Sequence, residues 1–207
     1  IDSDPGAEYT ECLDKARVLA SAGWPPFDLL ETLRWEPGNG FWLLERHLAR
    51  LADSAAYFDC PCDLAAIRRQ LADPPWDTPQ RVRLLLAADG QLTIQPFPLT
   101  EQHLPRRLRL APQPVDSSDP FLYHKTTHRR VYETPAACRG DADDVLLWNE
   151  RGELTEATIA NVAVRFDDDT RWLTPPVTSG LLAGTLRAEL LDSGDLLEAV
   201  IHRDDLD

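Results

Sequence analysis

Two ionisable side chains lie in settings that suit covalent and acid–base chemistry. Lys125 follows the apolar run 121–123, and Glu156 lies in the apolar and threonine-rich segment 153–162. An amine that forms imines must be partly desolvated so that it is neutral near pH 7. A carboxylate on such a strand needs a cationic partner, for example a protonated ring nitrogen. Taken singly, Lys125 is better explained as a solvated surface lysine, whereas an edge-strand glutamate in water and a functional carboxylate explain Glu156 about equally well.

Two further features could bind a phosphate. The sequence Gly-Thr-Leu-Arg at 184–187 begins a predicted helix, whose free N–H groups and preceding glycine suit an anion. Arg50 lies off the apolar stripe of another predicted helix, where its guanidinium could grip a phosphate with two hydrogen bonds. A capping loop and a solvated helix face are the plainer alternatives, so neither feature decides the chemistry alone.

Hydrophobic periodicity predicts the elements that would position these residues in the first half of the chain. The expected elements are a helix over 8–20, a strand over 27–35 that turns through 36–40 into a hairpin, a helix from Leu44 to Phe58, a helix from Asp63 to Leu71 with Asp63 as N-cap, and a hairpin over 81–97 around Asp89-Gly90. We expect residues 23–110 to form a small N-terminal α/β lobe.

The sequence of the second half of the chain predicts a linker followed by a second set of helices and strands. Three prolines and two serines in 111–120 indicate a linker. A helix around 126–134 should end at Pro135. The segment 144–166 predicts a hairpin that turns at 149–152, with a second strand continuing through Val164. Alternation along that strand places Glu156 opposite Asn161. The resulting expectation is an α+β protein of two lobes, with residues 121–207 as the larger one.

Bulk composition limits the possible partners. The formal net charge of -14 disfavours nucleic acid, which needs clustered basic residues, but leaves room for a local anion pocket. No apolar run approaches the roughly 18 residues of a membrane span. Cys12, Cys60, Cys62 and Cys138 match neither a zinc site nor a disulfide framework, so we expect no metal and reduced thiols in a cytoplasmic protein.

The order of the motifs carries more information than any one of them. The segments HLARL, HKTTHRRVYE, LTEATIANV and TSGLLAGTLRAEL together resemble the class IV aminotransferase family, from about Phe27 to Asp207. That resemblance implies a fold like D-amino-acid aminotransferase, with pyridoxal 5'-phosphate (PLP) between the lobes, and a homodimer.

The resemblance also implies roles for individual residues. Lys125 matches the lysine that carries PLP as a Schiff base, and Glu156 matches the glutamate that pairs with the pyridine nitrogen. Arg50 matches the arginine on the cofactor phosphate, and Thr185 and Leu186 match the pair whose main-chain amides bind it. As ligands for the carboxylates of an anionic substrate we predict Thr32, Arg34 and Arg129 from their positions.

Within the family, the LLETLRW and HKTTHRRVYE segments are most similar to the aminodeoxychorismate lyase branch. This implies release of 4-aminobenzoate and pyruvate from 4-amino-4-deoxychorismate, a step of folate biosynthesis, with Lys125 as general base. The alternatives are an aminotransferase acting on branched-chain or D-amino acids, and a non-catalytic domain of a fused synthase.

The ends of the chain lead to one more expectation. The chain contains no methionine, and residues 1–22 resemble the closing helix of the chorismate-binding synthases. We therefore expect a piece of a longer protein, fused to or paired with a chorismate-using synthase. Family members also continue past the position of Asp207, so we expect the second lobe to be incomplete at its end.

Overall fold

The computed structural model describes residues 24–100, 106–166 and 171–206. The helix predicted over 8–20 and the synthase-like segment 1–22 lie outside these residues. No helix in the described part of the chain is long and apolar enough to cross a membrane.

The first lobe is a four-stranded antiparallel sheet covered by two helices. The strands are β1 (Leu29–Glu36), β2 (Gly40–Phe41), β3 (Gln80–Leu86) and β4 (Leu92–Pro98), in the order β2-β1-β3-β4. The helices are α1 (Leu44–Tyr57) and α2 (Leu64–Leu71). Both predicted hairpins are confirmed, and the side chain of Asp63 caps α2 by accepting a hydrogen bond from the amide of Ala66 at 2.9 Å.

Alternation along β1 separates the core of this lobe from its other face. Leu29 and Leu33 are buried with Leu48 and Leu51 of α1 in one apolar cluster. Thr32 lies on the opposite face, because successive side chains of a strand point to opposite sides. The sheet therefore presents one face to the core and the other to the functional cavity described below.

The second lobe contains two small sheets and two helices. Strands β5 (Leu108–Leu110), β6 (Asp144–Trp148) and β7 (Leu154–Ala157) form one sheet, in which β5 is parallel and β7 antiparallel to β6. Strands β8 (Trp172–Thr174) and β9 (Leu196–Glu198) form a parallel pair. The helices are α3 (Arg130–Ala136) and α4 (Thr185–Ser193), and 3-10 turns lie at Pro120–Leu122, Val177–Ser179 and Arg203–Leu206.

Three details differ from the sequence expectations. Strand β5 pairs with β6, so the second sheet begins before the boundary predicted at residue 110. Helix α3 begins at Arg130 rather than near 126, because the preceding residues pair with β1 as described below. It also continues one residue past Pro135 before it ends.

The strand predicted to continue through Val164 was too long, since β7 ends at Ala157. There the backbone turns back on itself, and the amide of Ala157 donates to the carbonyl of Ala160 at 2.8 Å. The alternation argument therefore fails beyond Ala157, and the position predicted for Asn161, opposite Glu156, was wrong.

The two lobes are tied together at several points. The guanidinium of Arg46 on α1 forms ion pairs with Glu189 at 2.8 Å and Asp192 at 2.7 Å on α4. The backbone of 125–127 pairs with the start of β1 through a bridge between Leu29 and Thr126. Residues of both lobes thus line one cavity between them.

Candidate active site

A cavity of about 790 Å³ lies between β1 and β3 of the first lobe and β7, α3 and α4 of the second. This volume is in the range of sites for small molecules and cofactors. Seven of the eight residues predicted for a site line this cavity, and they are Thr32, Arg50, Lys125, Arg129, Glu156, Thr185 and Leu186. The structure places these residues together, while their individual roles stay predictions.

Lys125 is fixed through its backbone to the first strand. Its carbonyl accepts a hydrogen bond from the amide of Leu30 at 2.8 Å, and the amide of Thr127 donates to the carbonyl of Asp28 at 2.9 Å. Burial, and to a lesser degree the positive charge of Arg50, lower the pKa of the Lys125 amine. A lysine in this setting has more of the neutral, nucleophilic amine near pH 7 than an exposed one.

Glu156 is a buried carboxylate that accepts hydrogen bonds from three neighbours. Its Oε1 accepts from the hydroxyl of Tyr132 at 2.7 Å and from the amide of Leu182 at 3.2 Å. Its Oε2 accepts from the amide side chain of Asn161 at 3.0 Å. Burial raises the pKa of Glu156 to about 7, against the hydrogen bonds that favour the charged form. This carboxylate is poised to meet a cation inside the cavity.

Arg50 belongs to a buried polar network that the sequence analysis missed. Its Nε and NH2 donate to the two oxygens of Glu31 at 2.8 and 2.6 Å, and its NH1 donates to the carbonyl of Ala183 at 3.0 Å. Nδ1 of His47 lies 2.7 Å from Glu31, and its Nε2 lies 3.2 Å from the hydroxyl of Thr185. Glu31 therefore aims two side chains of α1 at the start of α4.

One sequence signal could have revealed this network. Glu31 alternates with Leu29 and Leu33 on β1, so its carboxylate belongs to the apolar face of the strand. His47 and Arg50 are three residues apart on one predicted helix and hence lie on the same side. A buried carboxylate demands such cationic or donor partners.

The N-terminus of α4 lines the cavity. Gly184 precedes the helix, and the first amides of a helix have no partner within it. A Cβ on Gly184 would stand 1.9 Å from Oδ1 of Asn161, so only glycine fits here without displacing that side chain. The arrangement offers main-chain N–H groups to an anion, with Arg50 also on the cavity wall.

The prediction that Arg34 reaches a substrate does not agree with the structure. Its guanidinium forms an ion pair with Glu36, is 53% exposed and lies outside the cavity lining. Two arginines of the neighbouring strand lie there instead. Arg83 pairs in register with Thr32, and Arg81 pairs in register with Arg34. The alternating Arg-Val-Arg pattern at 81–83 was the available sequence signal that two arginines share one face of a strand. The register between β1 and β3 was needed to show that this face lines the cavity.

Arg129 is partly committed to the protein itself. Its guanidinium donates to the carbonyl of Thr158 and lies over the ring of Tyr132, 4.6 Å from the centroid. No carboxylate in the described part of the chain forms an ion pair with Arg81, Arg83 or Arg129, and the guanidinium of Arg81 lies over the ring of Phe97, 5.4 Å from the centroid. Arg81 and Arg83 differ from Arg129 in that no backbone carbonyl of the described residues accepts a hydrogen bond from them, so their N–H groups can bind an anionic ligand.

Comparisons with known proteins agree with this geometry. A family model described as "Amino-transferase class IV" matches residues 28–207. A protein of Schizosaccharomyces pombe named "Putative aminodeoxychorismate lyase" is 37% identical over 188 residues, which cover 86% of this chain and 77% of the relative.

Solved structures show the same architecture. A "Putative amino-acid aminotransferase" from Mesorhizobium loti is 44% identical and superposes with a TM-score of 0.79, covering 87% of this chain and 89% of that one. A "putative 4-amino-4-deoxychorismate lyase" from Haemophilus somnus superposes with a TM-score of 0.70 at 24% identity, covering 89% and 92%. The latter supports the fold alone. The fold class predicted from the sequence is confirmed.

Proposed function

Because the chain belongs to the class IV aminotransferase family, we propose that it is a PLP-dependent lyase that converts 4-amino-4-deoxychorismate to 4-aminobenzoate and pyruvate. The observation that supports this proposal most directly is the set of side chains that line one cavity. A partly buried lysine and a buried glutamate share it with Arg81 and Arg83, whose guanidinium charges no carboxylate of the described residues neutralises.

The residues of the cavity fit PLP at each of its functional groups. The amine of Lys125 suits the aldehyde, and the carboxylate of Glu156 suits a protonated ring nitrogen. The first amides of α4, at Thr185 and Leu186, suit the phosphate, and Gly184 allows close approach. When bound, PLP supplies an electron sink for negative charge that develops on the substrate.

Lys125 performs the proton transfer in this proposal. Burial and the charge of Arg50 lower the pKa of its amine, which favours the neutral form that can take the proton from the carbon that bears the substrate's amino nitrogen. The bond between the neighbouring ring carbon and the enolpyruvyl oxygen then breaks, so the ring becomes aromatic and the released enolpyruvate takes up a proton to become pyruvate. The backbone pairing of Lys125 with β1 fixes the main chain from which this side chain reaches the cavity.

The substrate's charge suits the arginines of β3. 4-Amino-4-deoxychorismate carries two carboxylates, and Arg81 and Arg83 are two residues apart on the cavity side of one strand. Arg81 lies directly opposite Arg34, and like charges opposite one another destabilise a sheet unless an anion offsets them. Glu36 offsets Arg34, which leaves Arg81 and Arg83 for the substrate, beside the hydroxyl of Thr32.

A two-stage experiment tests the proposal. We would record the visible spectrum of the protein with added PLP, and then add 4-amino-4-deoxychorismate without any 2-oxo acid. We expect a cofactor absorbance band and release of 4-aminobenzoate, detected by its fluorescence. A bound cofactor without product would refute the lyase reaction, and no cofactor band would refute the PLP assignment.

An aminotransferase is the second candidate, favoured by the 44% identity to the Mesorhizobium loti protein and its name. Such an enzyme needs a 2-oxo acid acceptor for turnover, whereas a lyase does not. A non-catalytic domain of a fused synthase is the third, and stoichiometric PLP binding would contradict it. The homodimer and the synthase partner stay predictions, which the mass of the protein in solution and co-purification can test.

A further inference from the structure

The hydrogen bonds to the Glu156 carboxylate leave one of its acceptor positions unoccupied. A carboxylate has about four acceptor positions, two on each oxygen. Oε1 takes the hydroxyl of Tyr132 and the amide of Leu182, whereas Oε2 takes only the side chain of Asn161 among the described residues. One position on Oε2 is therefore open to a donor in the cavity.

The hydroxyl of Tyr132 donates one of these hydrogen bonds to the Glu156 carboxylate. It lies on α3, is 8% exposed, and has the guanidinium of Arg129 above its ring. Burial and the neighbouring charge of Glu156 raise the pKa of its hydroxyl far above the ordinary value, so the phenol keeps its proton. The function described above does not itself require a tyrosine at this position.

We propose that Tyr132 is a positioning residue that keeps Glu156 ionised and directs Oε1 away, so that the open position of Oε2 meets a protonated ring nitrogen. This inference rests on the cofactor proposed above. The charged groups that face Glu156 are Lys125 and Arg129, both of which favour the ionised carboxylate. Burial already raises the pKa of Glu156 to about 7, and loss of the hydrogen bond from Tyr132 raises it further.

The test compares Tyr132→Phe with the matched variant Tyr123→Phe. The Tyr123 hydroxyl donates to the carbonyl of Ser117 at 2.7 Å, outside the cavity lining, so its loss leaves Glu156 untouched. The first measurement is the pH titration of the Glu156 carboxyl in cofactor-free protein, by carbon NMR of labelled glutamate, with Glu156→Gln to assign the signal. The Tyr132→Phe midpoint should rise by roughly one to two pH units, with no change for Tyr123→Phe.

The second measurement is the dissociation constant of PLP against pH. Below its raised midpoint the variant carries a neutral Glu156 and binds PLP weakly. As pH rises through that midpoint the carboxyl ionises, and the affinity approaches that of the unsubstituted protein. A merely structural role would weaken binding equally at every pH, and that result would overturn the inference.

Further outcomes separate this inference from the function. An unchanged Glu156 midpoint in Tyr132→Phe overturns the role of Tyr132 even if the lyase reaction is found. A raised midpoint in a protein that fails to bind PLP overturns the proposed cofactor and, with it, the ring-nitrogen partner. If Tyr132→Phe unfolds, 3-fluorotyrosine at this position retains the hydroxyl as a stronger donor and should lower the midpoint; an unchanged midpoint would contradict the inference.

Discussion

Replacing Glu31 by glutamine removes the charge at the centre of the network that joins the two lobes. Glu31 is 1% exposed, and its oxygens lie between 2.6 and 2.8 Å from donors of His47 and Arg50. Glutamine has nearly the same shape, but its amide nitrogen would face a donor of Arg50. The Arg50 side chain, only 12% exposed, would lose its counter-charge.

The expected loss of stability follows from these contacts. Removing one partner of a buried ion pair costs about 3–5 kcal/mol, because the other charge stays buried and uncompensated. Glutamine keeps one acceptor oxygen, so we expect a value near the low end, about 3 kcal/mol. For a protein of this size that corresponds to a fall in Tm of roughly 6–12 °C.

Urea denaturation at pH 7, with equal slopes for both proteins, measures this difference. The control is Glu45→Gln, since Glu45 pairs with Arg68 on the surface, where its side chain is 72% exposed. We expect no resolvable shift of the urea midpoint for that variant. A loss for Glu31→Gln below about 1 kcal/mol, or equal to that of the control, would refute the reasoning about burial.

The same pair predicts a dependence on pH. Burial acts to raise the pKa of Glu31, but the hydrogen bonds from His47 and Arg50 outweigh it and hold the pKa below its ordinary value of 4.5. The stabilisation is therefore complete above about pH 4.5, the unfolded-state value, and is lost as pH falls through the lowered pKa of the folded protein. The stability difference between Glu31→Gln and the unsubstituted protein should shrink over that acidic window.

Three further predictions concern the cavity. Lys125→Ala should abolish the visible band that forms with PLP, and an unchanged spectrum would contradict its assignment. Gly184→Ala should weaken PLP binding by roughly tenfold or more, measured by equilibrium titration, because the new Cβ displaces Asn161 from Glu156. Arg83→Met should raise KM for 4-amino-4-deoxychorismate roughly tenfold to hundredfold in a 4-aminobenzoate assay. Arg34→Met should leave KM unchanged. Equal effects of the two substitutions would contradict the assignment of the substrate's carboxylates to the arginines of β3.

Local chemistry in the sequence was enough to predict most of the first lobe. The helix α1 has a regular apolar stripe, and Asp63 is a strong N-cap, so both helices follow from short-range rules. The hairpin around Asp89-Gly90 likewise requires only turn chemistry, with Gly90 at a φ of 84°. These elements were predicted correctly because their neighbours in sequence are also their neighbours in space.

The errors arose where partners distant in sequence decide the backbone. Thr126 is drawn into pairing with Leu29, which delays the start of α3. The apolar pattern after Ala157 resembles a strand, yet Asn161 turns back to bond Glu156 and the carbonyl of Leu182. Periodicity shows which residues are apolar, but it does not predict that a buried carboxylate such as Glu156 accepts a hydrogen bond from a side chain of the following loop.

The same limit applies to the site. Motif order brought Lys125, Glu156 and the start of α4 together correctly in one cavity. Motif order could not decide whether Arg34 or Arg83 is the better candidate for a substrate ligand, because both lie on the cavity-side face of the sheet. Only the register places Arg83 beside Thr32 and Arg34 nearer the end of β1. Glu31 went unnoticed since its partners on α1 become visible only after packing.

The hydrogen bonds that join the Lys125 backbone to β1 separate the cavity residues into two groups, those whose main chain is held by this pairing and those that contribute only side chains. The backbone of Lys125 and the strand that carries Glu31 are held together by these main-chain hydrogen bonds. The side chains of Thr32, Arg81 and Arg83 project from the same sheet without taking part in that pairing. Substitution of these three side chains can therefore change the preferred substrate without disturbing the backbone pairing that holds Lys125.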